Sequence, residues 1–349
     1  MRHIRLKERS PGLNLDNHAK REAIERQFGL IVDGLEEKRY PLRTDADGYI
    51  MPSRVHEQPQ LTLAFLGGST TECAWVDEES RFAYRSSVLL GRRLDRRINS
   101  FNGGASGANT LHLIDVLLNK VAALDPDAVL LMENINDVNI MLFAGSYWND
   151  HRSRSLIVAE ERPGRWQQLS LAVGGLMPGI ADRLERAGWF ARSADEFEGQ
   201  RSVTRVRDDV DEADYEANLA SFVEICRARG TQPILMTQFN RLAAMPDDST
   251  RENMRRFEQD WGMDYATYKG LIDRFNEAVR RVARNKGADL IDLEARVPKE
   301  SRYMYDIVHL NTAGSELVSE IIASELAVNA ELRRRAGLAP GTGAAAHSG

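Results

Sequence analysis

Cysteine is nearly absent from this sequence of 349 residues, and long apolar runs are missing as well. The two cysteines, Cys73 and Cys226, lie far apart, which excludes a disulfide framework and favours a reducing compartment. No stretch approaches the length of a membrane span, and no apolar segment of a signal peptide follows the basic start. We therefore expect a cytoplasmic protein without stable membrane insertion.

An excess of basic residues is also missing. The formal net charge is −6, so the global basic footprint of a nucleic-acid-binding protein is absent. The histidines show no metal-ligand spacing with carboxylates. The glycine turns at 67–68 and 103–107 match neither a phosphate-binding loop nor a dinucleotide fingerprint. We expect no metal, no cofactor and no nucleic-acid partner.

The sequence does contain a regular alternation of short apolar runs and amphipathic segments. The runs predict strands near 61–66, 98–101, 128–132, 233–237 and 289–292. The amphipathic segments predict helices near 17–37, 79–98, 110–124, 215–229, 268–286 and 312–335. This alternation is typical of an α/β protein with a mostly parallel, five-stranded sheet and helices on both faces.

The chain divides into three parts by composition, and the second part contains an insertion. Residues 1–60 predict an arm whose helix packs on the main domain, and residues 61–336 form that domain. Residues 140–212, rich in Trp, Arg and Gly, predict a partly helical insertion that is either a lid or substrate-binding element, or a surface subdomain. The tail at 337–349 is rich in Ala, Gly and Pro and predicts disorder.

Polar residues of catalytic type follow the predicted strands. In a parallel sheet, ligands gather at the carboxyl ends of the strands. Ser69 follows the first strand, and Asp306 and His309 follow the fifth, so a nucleophile, an orienting acid and a base would meet at one edge. Each has a purely structural alternative: Ser69 and Asp306 as helix caps, and His309 as a core histidine.

Four separated segments of the sequence, here called blocks, together resemble the conserved blocks of the SGNH (GDSL-type) hydrolases. The matching segments are Gly67-Gly68-Ser69-Thr70-Thr71, Asn102 to Asn109 with its glycine at Gly107, Asn134-Ile135-Asn136-Asp137, and Asp306-Ile307-Val308-His309 continued by Gly314. Two positions depart from the family pattern. Gly68 stands where the namesake Asp often stands, and Asn134 replaces the usual glycine of the third block.

The resemblance implies a flavodoxin-like, three-layer α/β sandwich and a serine esterase. Ser69 would be the nucleophile, His309 the base, and Asp306 the group that orients the base. The Ser69 N–H, the Gly107 N–H and the Asn136 side-chain amide would stabilise the oxyanion. A glycine at 107 suits a backbone that approaches the substrate closely.

Three neighbours of these residues are assigned to structure rather than to catalysis. Asp137 is expected to bond nearby backbone, and Glu72 to suit the start of the helix that follows Ser69. Cys73 is expected to be a buried small hydrophobe rather than a second nucleophile.

The substrate is less constrained by the sequence. Within the family the candidates are lipids, thioesters and acylated sugars. Because sugars stack on aromatic rings, Trp75, Tyr147 and Trp148 favour an O-acyl ester, an acetyl ester above all, on a carbohydrate or glycan. The alternatives are a lysophospholipase or acyl-thioesterase, or a catalytically silent binding protein, which only the replacement at Asn134 supports. The oligomeric state stays open.

Overall fold

A five-stranded parallel sheet forms the centre of the protein. The computed structural model describes residues 2–149, 154–159, 206–207 and 209–339. The strands are β1 Arg2–Ile4, β2 Asn14–His18, β3 Arg39–Arg43, β4 Leu61–Gly67, β5 Ile98–Asn102, β6 Ala128–Met132, β7 Ile157–Ala159, β8 Gln232–Met236 and β9 Asp289–Ile291. The central sheet has the order β5-β4-β6-β8-β9, and every neighbouring pair in it is parallel.

Helices cover both faces of this sheet. Their bounds are Arg21–Phe28, Ser69–Glu72, Phe82–Leu94, Thr110–Asn119, Ile135–Ala144, Ala213–Ala228, Asp248–Trp261, Tyr265–Lys286, Leu293–Arg296, Thr312–Val328 and Ala330–Arg335. Single 3₁₀ turns lie at Glu78–Ser80 and Val121–Leu124.

The alternation of side chains along β4 explains the three layers. Successive side chains of a strand point to opposite faces. Leu63 and Phe65 pack into a core with the helices Phe82–Leu94 and Thr312–Val328. Ala64 and Leu66 pack into the core on the other face, with helices that include Ala213–Ala228 and Tyr265–Lys286. Both faces are therefore buried, which is why the strands are apolar throughout, and the predicted α/β sandwich is confirmed.

The strand order places a crevice at one edge of the sheet. The chain runs from β4 to β5 on one side and then crosses to β6 on the other side of β4. Ligand sites of open α/β sheets lie at such a switch point, outside the carboxyl ends of the strands. Ser69 begins the helix that follows β4, and Asn136 lies in the first turn of the helix that follows β6.

The N-terminal arm differs from its predicted single helix at 17–37. Asn14–His18 and Arg39–Arg43 pair as antiparallel strands. The helix between them covers only Arg21–Phe28 and ends at Gly29, whose φ of 69° lies in the left-handed region that favours glycine. The apolar residues beyond Gly29 are therefore not a continuation of the helix.

Other boundaries also differ from the prediction. The helices Ile135–Ala144 and Asp248–Trp261 were not predicted. The last predicted helix is divided at Asn329, whose side chain caps the short second piece. Most of the predicted insertion and the tail from residue 340 onward lie outside the described residues. The domain boundaries stay a prediction.

Candidate active site

Ser69, His309 and Asp306 form one hydrogen-bonded chain. The Ser69 Oγ lies 2.7 Å from His309 Nε2, and His309 Nδ1 lies 2.7 Å from Asp306 Oδ2. Because a carboxylate only accepts hydrogen bonds, Nδ1 carries the proton and Nε2 is left to accept from the serine hydroxyl. This is the arrangement in which a histidine can take a proton from serine.

Asp306 is held in its charged form. Burial alone would raise its pKa, but His309 and the backbone N–H groups of Val308 and His309 hold the pKa below its ordinary value. Those two N–H groups donate to Oδ1 at 2.9 and 2.8 Å, which leaves Oδ2 for the imidazole. The carboxylate therefore fixes both the position and the tautomer of the ring.

Tyr305 supports the other side of the histidine. The rings of Tyr305 and His309 are stacked, with centroids 5.5 Å apart and planes 8° apart. The Tyr305 N–H donates to the His309 carbonyl at 2.9 Å, which closes the loop on itself. The buried Tyr305 ring therefore limits the rotation of the His309 imidazole.

Arg241 ties this loop to the rest of the protein. Its side chain is buried, its N–H donates to the Ile307 carbonyl at 2.7 Å, and its guanidinium donates to the Met304 carbonyl at 3.2 Å. Asp33, from the N-terminal arm, and Asp247 neutralise the guanidinium at 2.5 and 2.6 Å. A buried charge is tolerated only when it is paired, so Arg241 depends on the carboxylates of Asp33 and Asp247. Since Arg241 also contacts the loop that carries His309, it connects this loop to the N-terminal arm.

Gly107 lies on a loop whose preceding residue, Ser106, is hydrogen-bonded to Glu72. Gly107 has a φ of 75°, a backbone conformation that side chains rarely adopt. The neighbouring Ser106 donates to the buried Glu72 carboxylate from its N–H at 2.8 Å and its hydroxyl at 2.6 Å. Arg9 of the arm forms an ion pair with the same carboxylate. Glu72 therefore does more than suit a helix terminus, since the helix after Ser69 is a single turn, Ser69–Glu72.

Asn136 lies beside Ser69 and Gly107 in the wall of one cavity. Its side-chain amide donates to the Ala108 carbonyl at 3.1 Å, and its backbone N–H donates to Glu133 Oε1 at 2.8 Å. The preceding Asn134 has a φ of −147°, so this position does not need the glycine that the family pattern places there. Its N–H donates to Gln238 at 2.8 Å.

Asp137 is structural in its contacts, as expected from the sequence. It is buried and accepts hydrogen bonds from the N–H of Thr110 at 3.1 Å and from the hydroxyls of Thr110 and Tyr147. Tyr147 is consequently part of the core and does not line the cavity at Ser69. Trp148 packs edge-on against Tyr147, is 64% exposed, and does not line the cavity either.

The cavity at Ser69 has a volume of about 250 Å³ and walls that are mostly apolar. Trp75 lines it, with its ring packed edge-on against Tyr40 of the arm at 6.2 Å. The remaining apolar wall comes from the arm, from the loop around His309 and from helices on one face of the sheet: Ile24, Leu30, Val32, Ile135, Phe143, Phe257, Trp261, Ile307, Val308 and Leu310. Arg154 is the cationic residue among its lining residues in the described part of the chain.

Cys73 also borders the cavity, but its thiol is unreactive. Burial raises the pKa of the thiol to about 12, and Sγ donates to the Thr70 carbonyl at 3.2 Å. Within the described ranges, no group of three or more His, Cys, Asp or Glu side chains is arranged to hold a metal ion. Nor does any helix in those ranges combine the length and apolar character needed to cross a bilayer.

Four side chains that shape the site were not predicted from the sequence: Glu133, Gln238, Arg241 and Tyr305. Three of them had a usable signal, because Glu133 follows β6 directly, Gln238 lies two residues beyond β8 and Tyr305 precedes Asp306. Arg241 had none, since isolated charged residues are usually exposed.

Known proteins similar to this chain include hydrolases. It is similar to the structure of an α/β hydrolase enzyme from the metagenome of Lake Arreo, Spain, at 20% identity, covering 79% of this chain and 95% of that chain with a TM-score of 0.42. It is also similar to an acetylxylan esterase from Geobacillus stearothermophilus, at 19% identity, covering 80% and 94% of the two chains with a TM-score of 0.42. No curated protein matches the chain. Similarity at this level carries no argument about the substrate.

The sequence profile of one family extends over most of the chain. The GDSL-like lipase/acylhydrolase profile matches residues 65–317, a segment that contains all four blocks described above. The chain is thus a member of the GDSL-like lipase/acylhydrolase family and a hydrolase that acts on ester bonds.

Proposed function

We propose that this protein is a serine esterase that forms an acyl-enzyme on Ser69 and accepts esters with an apolar acyl chain. The observation that carries the proposal is the unbroken chain from Ser69 through His309 to Asp306 at the wall of an apolar cavity.

In the first half-reaction, Ser69 Oγ attacks the carbonyl carbon of the ester while His309 Nε2 takes the hydroxyl proton. Negative charge develops on the carbonyl oxygen, where the N–H groups of Ser69 and Gly107 and the Asn136 amide donate hydrogen bonds. The imidazolium then gives its proton to the leaving alcohol oxygen as the C–O bond breaks. Asp306 stabilises the imidazolium throughout.

In the second half-reaction, His309 takes a proton from water, whose oxygen attacks the acyl carbon. The same three donors stabilise the second oxyanion. Collapse of this intermediate breaks the bond to Ser69 Oγ, returns the proton from His309 to the serine and releases the carboxylic acid.

The cavity walls support an apolar acyl group more than a sugar. The Trp261 ring packs edge-on against the rings of Phe143 and Phe257, with centroid distances of 5.4 and 4.7 Å, and the three residues line one side of the cavity. Of the three aromatics that favoured a carbohydrate, only Trp75 reaches the cavity. The volume of about 250 Å³ lies below the roughly 300–1,000 Å³ of pockets for drug-sized ligands, which favours a chain of moderate length.

Labelling tests the nucleophile. A fluorophosphonate probe is expected to attach to the wild-type protein and not to Ser69→Ala, with both proteins folded by circular dichroism. A folded wild-type protein that is not labelled by the probe and hydrolyses no ester would contradict the proposal.

A series of p-nitrophenyl esters from acetyl through butyryl and octanoyl to dodecanoyl tests the substrate class. Burial of one methylene is worth about 0.8 kcal/mol, so kcat/KM should rise by up to about fourfold per added carbon until the cavity is filled. Ser69→Ala corrects for background hydrolysis. Acetyl esters hydrolysed best, with no gain from longer chains, would favour the acetyl-sugar alternative instead.

A further inference from the structure

Glu133 and Asn136 occupy the space that a side chain at position 68 would need. A Cβ built on Gly68 would lie 2.5 Å from Asn136 Nδ2 and would collide with Glu133 Oε2. Real Cβ atoms do not approach other atoms so closely. The amide and the carboxyl therefore both press against the backbone that directly precedes Ser69.

The φ of Gly68 is −85°, outside the left-handed region that favours glycine. The lack of space for a side chain is therefore the feature that explains glycine at this position. The space is filled by one residue that follows β6 and by another in the first turn of the next helix.

Glu133 is also bonded to the residue whose amide faces the site. Its Oε1 accepts the Asn136 N–H at 2.8 Å, and its carbonyl accepts the buried Tyr215 hydroxyl at 2.6 Å. The side chain of Glu133 is buried. Its position is fixed at both ends, so it can act as a rigid support.

We propose that Glu133 is a positioning residue for the oxyanion: its carboxyl fixes Asn136 with the side-chain amide toward Ser69, and glycine at 68 leaves room for both groups. This inference rests on the proposed function, because it assigns the Asn136 amide to the oxyanion. Glu133 touches no substrate and acts only through Asn136.

The charge state of Glu133 suits this role. Burial, and then the neighbouring Asp137 carboxylate, raise the pKa of Glu133, and both side chains are buried. This shift favours the uncharged acid, which places less negative charge beside a developing oxyanion than a carboxylate would. A neutral glutamine of the same shape should therefore replace it with little loss.

A double-mutant cycle of Glu133→Ala and Asn136→Ala tests the proposal. Loss of an oxyanion donor costs about two to three orders of magnitude in kcat, which is the expectation for Asn136→Ala. Displacement of the donor in Glu133→Ala should cost about tenfold or more in kcat with KM almost unchanged. In the Asn136→Ala background the same substitution should cost nothing further, because the group it positions is gone.

Three further variants keep the test valid if Glu133→Ala does not fold. Glu133→Gln should stay within about threefold of the wild-type kcat, while the shorter Glu133→Asp should lose rate only when Asn136 is present. Gly68→Ala should lower kcat by steric contact with the amide. Its matched control is Gly270→Ala, since a Cβ on Gly270 meets nothing within 4 Å.

Three results would overturn the inference. A Glu133 substitution that costs the same factor with and without Asn136 would show that it acts elsewhere. Wild-type kcat in Gly68→Ala would show that the space is not needed. A wild-type kcat in Asn136→Ala would show that Asn136 is not an oxyanion donor. Failure of the proposed function has a different signature, namely ester turnover that persists in Ser69→Ala.

Discussion

The Glu72 carboxylate should control the rate of catalysis, whereas its ion-pair partner Arg9 should control only stability. Glu72 is fully buried and accepts two hydrogen bonds from Ser106, the residue before Gly107. Arg9 approaches the same carboxylate from the arm and keeps 30% of its side chain exposed. The two substitutions Glu72→Ala and Arg9→Ala therefore separate loop positioning from charge pairing.

The structure gives different magnitudes for the two variants. Glu72→Ala leaves the Ser106 N–H without its acceptor, at a cost of about 1–3 kcal/mol, while Arg9 can turn to solvent. Arg9→Ala leaves a buried carboxylate without its cation, which costs about 3–5 kcal/mol. In catalysis the order should reverse. Glu72→Ala should lower kcat by about ten- to a hundredfold, less than complete loss of a donor, because the Gly107 N–H is displaced rather than removed.

The assay combines ester hydrolysis with urea unfolding for both variants. Glu72→Gln serves as the control, because it keeps the shape of the side chain. Arg9→Ala should keep a kcat within about threefold of wild type despite the larger loss of stability. A kcat that falls in proportion to stability in both variants, or a larger loss of rate in Arg9→Ala than in Glu72→Ala, would contradict the assigned role of Glu72. Either result would make Glu72 a purely structural residue.

Three other predictions concern the base, the cavity and the buried acids. Asp306→Asn should lower kcat by about four orders of magnitude through the wrong histidine tautomer, and a loss below tenfold would contradict the assigned role. Val32→Phe should fill the cavity and shift the kcat/KM profile toward acetyl esters; an unchanged profile would mean that acyl chains bind elsewhere. Burial raises the pKa values of Glu133 and Asp137, so the folded state holds protons that the unfolded chain releases, and stability is lost as pH rises. Burial lowers the pKa of His112 to about 4, so His112 contributes the opposite trend until the unfolded histidine is also neutral, about one unit above its ordinary pKa of about 6.5. Urea unfolding between about pH 5 and about pH 8 should therefore show a stability that falls less with rising pH in Asp137→Asn than in the wild type.

The sequence predicted the sheet better than its surroundings. Strands buried on both faces are continuous apolar runs, so β4 and β6 were recognised almost to the residue. The helix Ile135–Ala144 was missed because most of its residues are buried and it lacks the polar face of an amphipathic pattern. It starts among the site residues themselves, where Asn and Asp also favour turns.

The candidate site was predictable as a set of blocks but not as a set of contacts. Ser69, Asn136 and His309 follow strand ends, and topology alone brings such residues together. What surrounds them depends on side chains that meet across long sequence separations. Arg241 with Asp33, and Glu72 with Arg9, are charged residues that composition assigns to the surface, yet Arg241 and Glu72 are buried because partners from the arm reach them.

The arm contributes to the site from outside the matched family segment. Residues 65–317 match the family profile, whereas Ile24, Leu30 and Val32 of the cavity wall precede that segment. The arm thus adds part of the cavity wall, whereas Ser69, Asp306 and His309 and the rest of the wall lie within the matched segment. Substitutions in the arm should therefore change chain-length preference without changing the chemistry.

The two hydrogen bonds of the Ser69–His309–Asp306 chain differ in how far apart their residues lie in the sequence. His309 and Asp306 are three residues apart, whereas Ser69 and His309 are 240 residues apart. The first bond belongs to one short loop and survives any motion that moves the loop as a unit. The second depends on packing between distant parts of the protein and is sensitive to partial opening. On warming, activity should therefore decrease because the hydrogen bond between Ser69 and His309 is lost while the one between His309 and Asp306 is still formed.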